Sequence, residues 1–228
     1  MDDKAIINGY VGPAGSGKTY LALKHLSKYP RQIRIDAQIK PQQSIHEGCE
    51  VFRDIPALFD FVSSKKHDPF KACYWPENAD LKAAFHWIAS IAIIFENIAI
   101  FADEANRYLS HNLTDAGEAV FFQSRHSSTR LFYTLFNPRD ISPAMRGNTS
   151  DFHIFQNVHK NVTDFLKEAN IDAETLQGFM SETLPPYSYA LIETAKKPVL
   201  IRPKKPPVRK AGKTSGAAKR SGRRAKKV

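Results

Sequence analysis

The sequence predicts an α/β protein with a mostly parallel sheet covered by helices on both faces. Three observations predict it: apolar strand-like runs alternate with helical patterns, a glycine-rich loop joins the first run to the first helix, and a later apolar run ends in two acids. Strands in such a sheet are buried on both faces and therefore read as continuous apolar runs rather than alternating ones.

The first such run is "AIINGYV" (5–11), followed by "GPAGSGKT" and the helical "GKTYLALKHLSKY", in which Leu21, Leu23 and Leu26 offer a core face. "RQIRIDA" (31–37) and "KACYW" (71–75) read as strands separated by a helical "IPALFDFVSSKK". A helix over 79–95, a strand "IAIFA" (98–102) and a helix over 113–125 come next. Strands "RLFYTLF" (130–136) and "FHIFQ" (152–156) follow, then short helices in "VTDFLKEAN" and "AETLQGFM". "YALIE" and "PVLIR", flanking "TAKK", predict a C-terminal β-hairpin. No internal repeat is present.

The 228 residues suffice for one sizeable domain over 1–203 and a tail over 204–228. The tail holds 11 of the 33 Lys and Arg residues and no acid, leaving 22 basic against 23 acidic residues before it. The net charge of +10 therefore belongs to the tail. Its Lys/Arg/Gly/Ser/Ala/Pro composition buries too little to offset ordering entropy, so it is expected to be disordered. Such a segment either solubilises the chain or binds a polyanion, and nucleic acid is the favoured ligand. Cys49 and Cys73 have neither disulfide-framework nor zinc-site spacing, which suggests a reducing compartment. The N-terminus has no signal-peptide pattern. The apolar 83–102 stretch has membrane-spanning length, but His86, Glu96 and Asn97 interrupt it and divide it into a helix and a strand.

Gly12-Pro13-Ala14-Gly15-Ser16-Gly17-Lys18-Thr19 matches GxxxxGK[ST] between a strand and a helix. Glycines let the backbone turn tightly enough for successive N–H groups to face the phosphates of ATP, and the helix N-terminus adds positive potential. Lys18 is expected to neutralise phosphate charge, Thr19 to place its hydroxyl on Mg²⁺, and Tyr20 to complete the nucleotide-contacting segment. In "IAIFADEA", a buried strand delivers Asp103 as the Mg²⁺ acid and Glu104 as the base for the attacking water. "NPRD" (137–140) has Pro138 where a guanine-specific motif needs lysine, which disfavours a GTPase. Asn137 is expected either to orient the lytic water or to start the Asn-Pro turn. Arg125, Arg139 and Arg146 are candidates for a finger reaching a neighbouring subunit's phosphate. Tyr74 and Trp75 suit the core better than a channel lining.

With its Walker A and Asp-Glu Walker B motifs, and with "SRH" and "NPRDISPAMRGN" bracketing one strand, the chain resembles the FtsK–HerA superfamily over residues 5–157. It is most similar to the packaging ATPases of tectiviruses and other membrane-containing viruses. The resemblance implies a RecA-like (ASCE) P-loop core, a commonly hexameric ring, ATP hydrolysis, and double-stranded DNA moved into a procapsid. It further implies portal or vertex partners, no stable membrane insertion, and residence in the virion and host cytoplasm. Arg125 matches an arginine acting across the subunit interface. Asn137 stands where the family commonly has glutamine. A Zot-like assembly or export ATPase and a small-molecule kinase are the alternatives.

Overall fold

A computed structural model describes residues 7–38, 40–76, 80–109, 113–156, 160–168, 173–180, 185–193 and 199–202. The basic tail from residue 204 lies outside these, as do residues 5 and 6 of the first expected strand.

Among the described residues the strands are β1 (Ile7–Val11), β2 (Arg31–Ile35), β3 (Glu50–Phe52), β4 (Phe70–Tyr74), β5 (Ala99–Ala102), β6 (Arg130–Leu135), β7 (Asp151–Phe155), β8 (Tyr189–Glu193) and β9 (Val199–Ile201). They form one sheet in the order β3-β4-β2-β5-β6-β1-β7-β8-β9. Strands β3 to β7 across that order pair in parallel, whereas β8 joins β7, and β9 joins β8, antiparallel. The expected terminal hairpin is therefore present, and it extends the edge next to β7.

Eight α-helices accompany the sheet among the described residues: α1 (Lys18–Leu26), α2 (Gln43–His46), α3 (Ile55–Lys65), α4 (Leu81–Phe95), α5 (Asp115–Ser127), α6 (Pro143–Asn148), α7 (Lys160–Glu168) and α8 (Ala173–Met180). The pleat divides the core. Ile33, Ile35, Ile100, Ala102, Leu131 and Tyr133 point to the face covered by Leu58 and Val62 of α3, Phe85 and Ile88 of α4 and Val120 of α5. Their sequence neighbours Ala99, Phe101 and Phe132 join Tyr10 and Cys73 on the opposite face, under Ala22 and Leu26 of α1 and Ile45 of α2. Helices on both faces explain why β1, β2 and β5 are buried at every position.

Local chemistry sets the boundaries. The Asp80 side chain accepts hydrogen bonds from Lys82 N and Ala83 N and starts α4, two residues after the expected position. The α4–β5 break falls at Glu96 and Asn97, both with φ of 50°. The apolar 83–102 stretch is thus a 15-residue helix and a strand, and no described helix is long and apolar enough to cross a membrane. Three short elements, α2, β3 and α6, occupy stretches without a clear hydrophobic period, and the sequence reading passed over them. The helix expected over 113–125 begins at Asp115 and runs to Ser127. Tyr74 is buried in the core as expected, while Trp75 is half-buried and donates its indole N–H to Gln38 O at 2.9 Å.

Candidate nucleotide-hydrolysis site

The candidate site lies at the carboxyl ends of β1, β6 and β5, which are adjacent in that order. β1 leads into the Gly12–Gly17 loop, whose first residue continues the parallel ladder through Gly12 N to Leu135 O, 3.1 Å. Gly17 has φ of 95°, a backbone state that side chains rarely adopt. A Cβ on Gly12 would sit 2.8 Å from both Phe155 Cβ and Ser16 Oγ, so that wall of the loop has room only for hydrogen. Lys18 opens α1, and its Nζ donates to Pro13 O at 3.3 Å, curling the side chain back over the loop. Burial pushes the Lys18 ammonium pKa down, against the opposing pull of Asp103 and Glu104.

Asp103 follows β5 and is 1% exposed. Thr19 Oγ1 donates to its Oδ1 at 3.4 Å, and Thr134 Oγ1, on the intervening strand β6, donates to the same oxygen at 2.8 Å. Gln42 Nε2 donates to Oδ2 at 3.3 Å. Burial raises the carboxyl to about 6, with the Thr134 hydrogen bond opposing the shift and the nearby charges of Glu104 and Asp36 adding to it.

Glu104 adopts φ of 46°, an uncommon state for a residue other than glycine, and caps the 3₁₀ turn Ala105–Arg107. Its N–H donates to Thr134 Oγ1 at 2.8 Å. One hydroxyl thus holds both acids: it accepts from the backbone of Glu104 and donates to the carboxylate of Asp103. The Glu104 carboxylate accepts from Gln38 Nε2 at 3.2 Å and lies 3.6 Å from Arg107 Nη1. The side chain keeps 39% of its surface in solvent.

Behind the two acids, fully buried Asp36 ends the β2 segment. It accepts from Gln38 N, Gln42 N and the His46 ring, at 3.1, 2.7 and 2.9 Å, and folds the following loop so that Gln38 and Gln42 meet Glu104 and Asp103. Sequence reasoning missed Thr134, Asp36, Gln38 and Gln42. The acid Asp36 at the end of the strand run "RQIRI" was the available signal for one of them; Thr134, inside "RLFYTLF", carried none.

The remaining expected site residues are more dispersed. Tyr20, on the first turn of α1, is 55% exposed. Asn137 Oδ1 accepts from Arg139 N at 3.0 Å and caps the 3₁₀ turn Pro138–Asp140, which is the turn-starting arrangement. Arg139 pairs with Glu168 at 2.5 Å on the surface. Arg146, on α6, donates to Ile141 O at 3.0 Å. Arg125 lies on α5, and its side chain falls outside the description.

Searches with the sequence match no protein-family profile and no curated protein. Solved structures do match. The genome packaging NTPase B204 from Sulfolobus turreted icosahedral virus 2, in complex with AMPPCP, superposes with a TM-score of 0.69 at 15% identity, covering 89% of this chain and 98% of that one. The same NTPase in complex with ATP-gammaS gives 0.67 at 17% identity over 89% and 99%. The chain has the fold of a viral genome-packaging NTPase. The DNA-packaging ATPase B204 from Sulfolobus Turreted Icosahedral Virus aligns likewise, with a TM-score of 0.64 at 18% identity over 87% of this chain and 97% of that one. The fold expected from the sequence, a P-loop NTPase sheet with helices on both faces, is the fold observed.

Proposed function

We propose that this chain is an ATP-hydrolysing motor of the FtsK–HerA type that moves double-stranded DNA into a viral procapsid. The observation that carries this reading is the hydrogen bond from the Thr19 hydroxyl to Asp103 across β6, with Glu104 held beside it by Thr134. That arrangement suits a triphosphate and a divalent cation. At Gly12 and Gly17 the loop has space only for backbone, Ser16 Oγ is buried without a hydrogen-bond partner, and a hydroxyl and a carboxylate converge on one point.

Thr19 and Asp103 would hold Mg²⁺, which supplies charge neutralisation to the phosphates. The N–H groups of Gly15 and of Gly17 to Tyr20, with the N-terminus of α1, would bind the phosphate oxygens. Lys18 would turn its ammonium from Pro13 O to the β- and γ-phosphates. Glu104, partly exposed and fixed through its own backbone, would accept the proton of the attacking water. Asn137 would orient that water through its amide group, and Arg125 or Arg146 would stabilise the transition-state charge across a subunit interface. The likeness to packaging NTPases and the basic segment from residue 204 support DNA as the cargo, with self-association into a ring and a portal or vertex protein as partners.

The deciding measurement is the ATPase rate of the full-length protein with and without duplex DNA. Duplex DNA should stimulate turnover, Lys18→Ala should abolish it, and Glu104→Gln should bind ATP with turnover reduced by at least ~100-fold, the scale of a general base. Full activity in Glu104→Gln would remove the base assignment, and turnover indifferent to DNA would remove the motor.

A further inference from the structure

The turn before β8 contains a strained tyrosine that rests against the phosphate loop. Pro185, Pro186, Tyr187 and Ser188 form a reverse turn closed by Ser188 N to Pro185 O at 3.2 Å and reinforced by Ser188 Oγ to the same carbonyl at 2.7 Å. Proline at the second position fixes a negative φ there, and Tyr187 at the third has φ of 67°. That combination is a type II turn, in which the third position ordinarily holds glycine or asparagine. Glycine would relieve the strain, so the aromatic ring is retained against the local backbone preference.

The ring meets Gly17 by its edge. A Cβ built on that glycine would sit 2.7 Å from Tyr187 Cδ1, 3.4 Å from Cε1 and 3.6 Å from Cγ. Topology accounts for the placement. β8 runs antiparallel to β7, with Tyr189 opposite Phe155, so it starts at the carboxyl end of the parallel strands. A parallel β8 would have placed this turn at the other end of the sheet. The position is firmly held: Ser188 O accepts from Gln156 N at 3.4 Å, and Tyr189 packs against both His153 and Phe155. Tyr187 itself stays half-buried, so part of its ring is open beside the loop.

We propose that Tyr187 is the base-binding wall of the nucleotide site, stacking on the nucleobase and favouring purine over pyrimidine nucleotides. The inference rests on the nucleotide reading above and deepens it. Phosphates gripped by Gly12–Thr19 leave the nucleoside to extend from the loop, and a ring that meets Gly17 by its Cδ1 edge keeps its faces for the base. Stacking tolerates any base but favours the larger ring system, so it would set purine preference without hydrogen-bond selectivity between adenine and guanine.

The test uses ligands that the protein does not turn over. Binding of ADP, CDP and inorganic pyrophosphate is measured by calorimetry on the full-length protein, on Tyr187→Phe, on Tyr187→Gly and on Lys18→Ala. The unmodified protein should bind ADP more tightly than CDP. Tyr187→Phe should hold ADP within ~2-fold, while Tyr187→Gly should weaken ADP by ~5- to 150-fold, the range of one lost stacking contact, and leave pyrophosphate within ~2-fold. Equal weakening of ADP and pyrophosphate would mean that the ring only props the loop, and unchanged ADP binding would mean that it touches no base; either overturns the proposal. Lys18→Ala reports on the underlying reading, because it should lose pyrophosphate as well as ADP. Failure of the unmodified protein to bind either ligand would overturn both readings. Should Tyr187→Gly not fold, Tyr187→Asn, which tolerates the left-handed backbone, is read by the same criteria.

Discussion

Asp103 concentrates the electrostatic conflict of the site in one carboxyl. Its burial raises the proton affinity until the group titrates at about 6, above the ordinary value of 3.8. The folded protein therefore holds the proton more tightly than the unfolded chain does. The stability this contributes is fully present below the ordinary carboxylate range and is lost as pH rises through about 6. In magnesium-free buffer the melting temperature of Asp103→Asn should lack that downward slope between pH 4 and 6, a window set by the two values. Magnesium-dependent ATP binding by the unmodified protein should instead strengthen as pH rises through about 6, because the proton and the cation compete for the same oxygens. A slope equally steep in Asp103→Asn would assign it to another group.

At the scale of elements, termini and registers matter more than composition. The Asp80 cap stabilises a 15-residue helix that carries six buried residues of the core face. Asp80→Ala should cost about 1 kcal/mol, read from denaturant midpoints, and leave nucleotide binding intact because the carboxylate bonds only Lys82 N and Ala83 N of its own helix among the contacts described. The same scale explains what could be read in the sequence. β1, its glycine loop and α1 were legible together, because strand burial, the tight turn and the helix start are encoded in contiguous residues. β5 was legible for the same reason, ending as it does in Asp103 and Glu104. Thr134 was not, since its importance arises from parallel pairing that sets Tyr133 beside Ala102 and Thr134 beside Tyr10. Gln38 and Gln42 depend on a loop folded around Asp36, and no local period announces such a loop. Asn137 was legible only as two alternatives, of which the side-chain cap is the one seen in the structure.

For the whole molecule, the arginines would decide whether the proposed site needs a second chain. Within a single copy, Arg139 is spent on Glu168, and Arg146 donates to the carbonyl of Ile141. Arg125, carried by α5, is the arginine that the sequence resemblance assigns to a neighbouring copy. Arg125→Ala should bind ATP yet hydrolyse it poorly, and mixing it with Lys18→Ala should restore part of the turnover. Each mixed interface would then pair an intact loop with an intact arginine; absence of recovery would confine Arg125 to its own chain. The proposed ring would require every copy to present both halves of the chemistry in fixed relation, and strand β6 sets that relation. Because β6 separates the loop strand from the acid strand, inserting one residue before Thr134 would turn its hydroxyl to the far side of the sheet. A frameshift of a single pleat would leave the phosphate grip and both acids present in the chain, yet disconnected from each other.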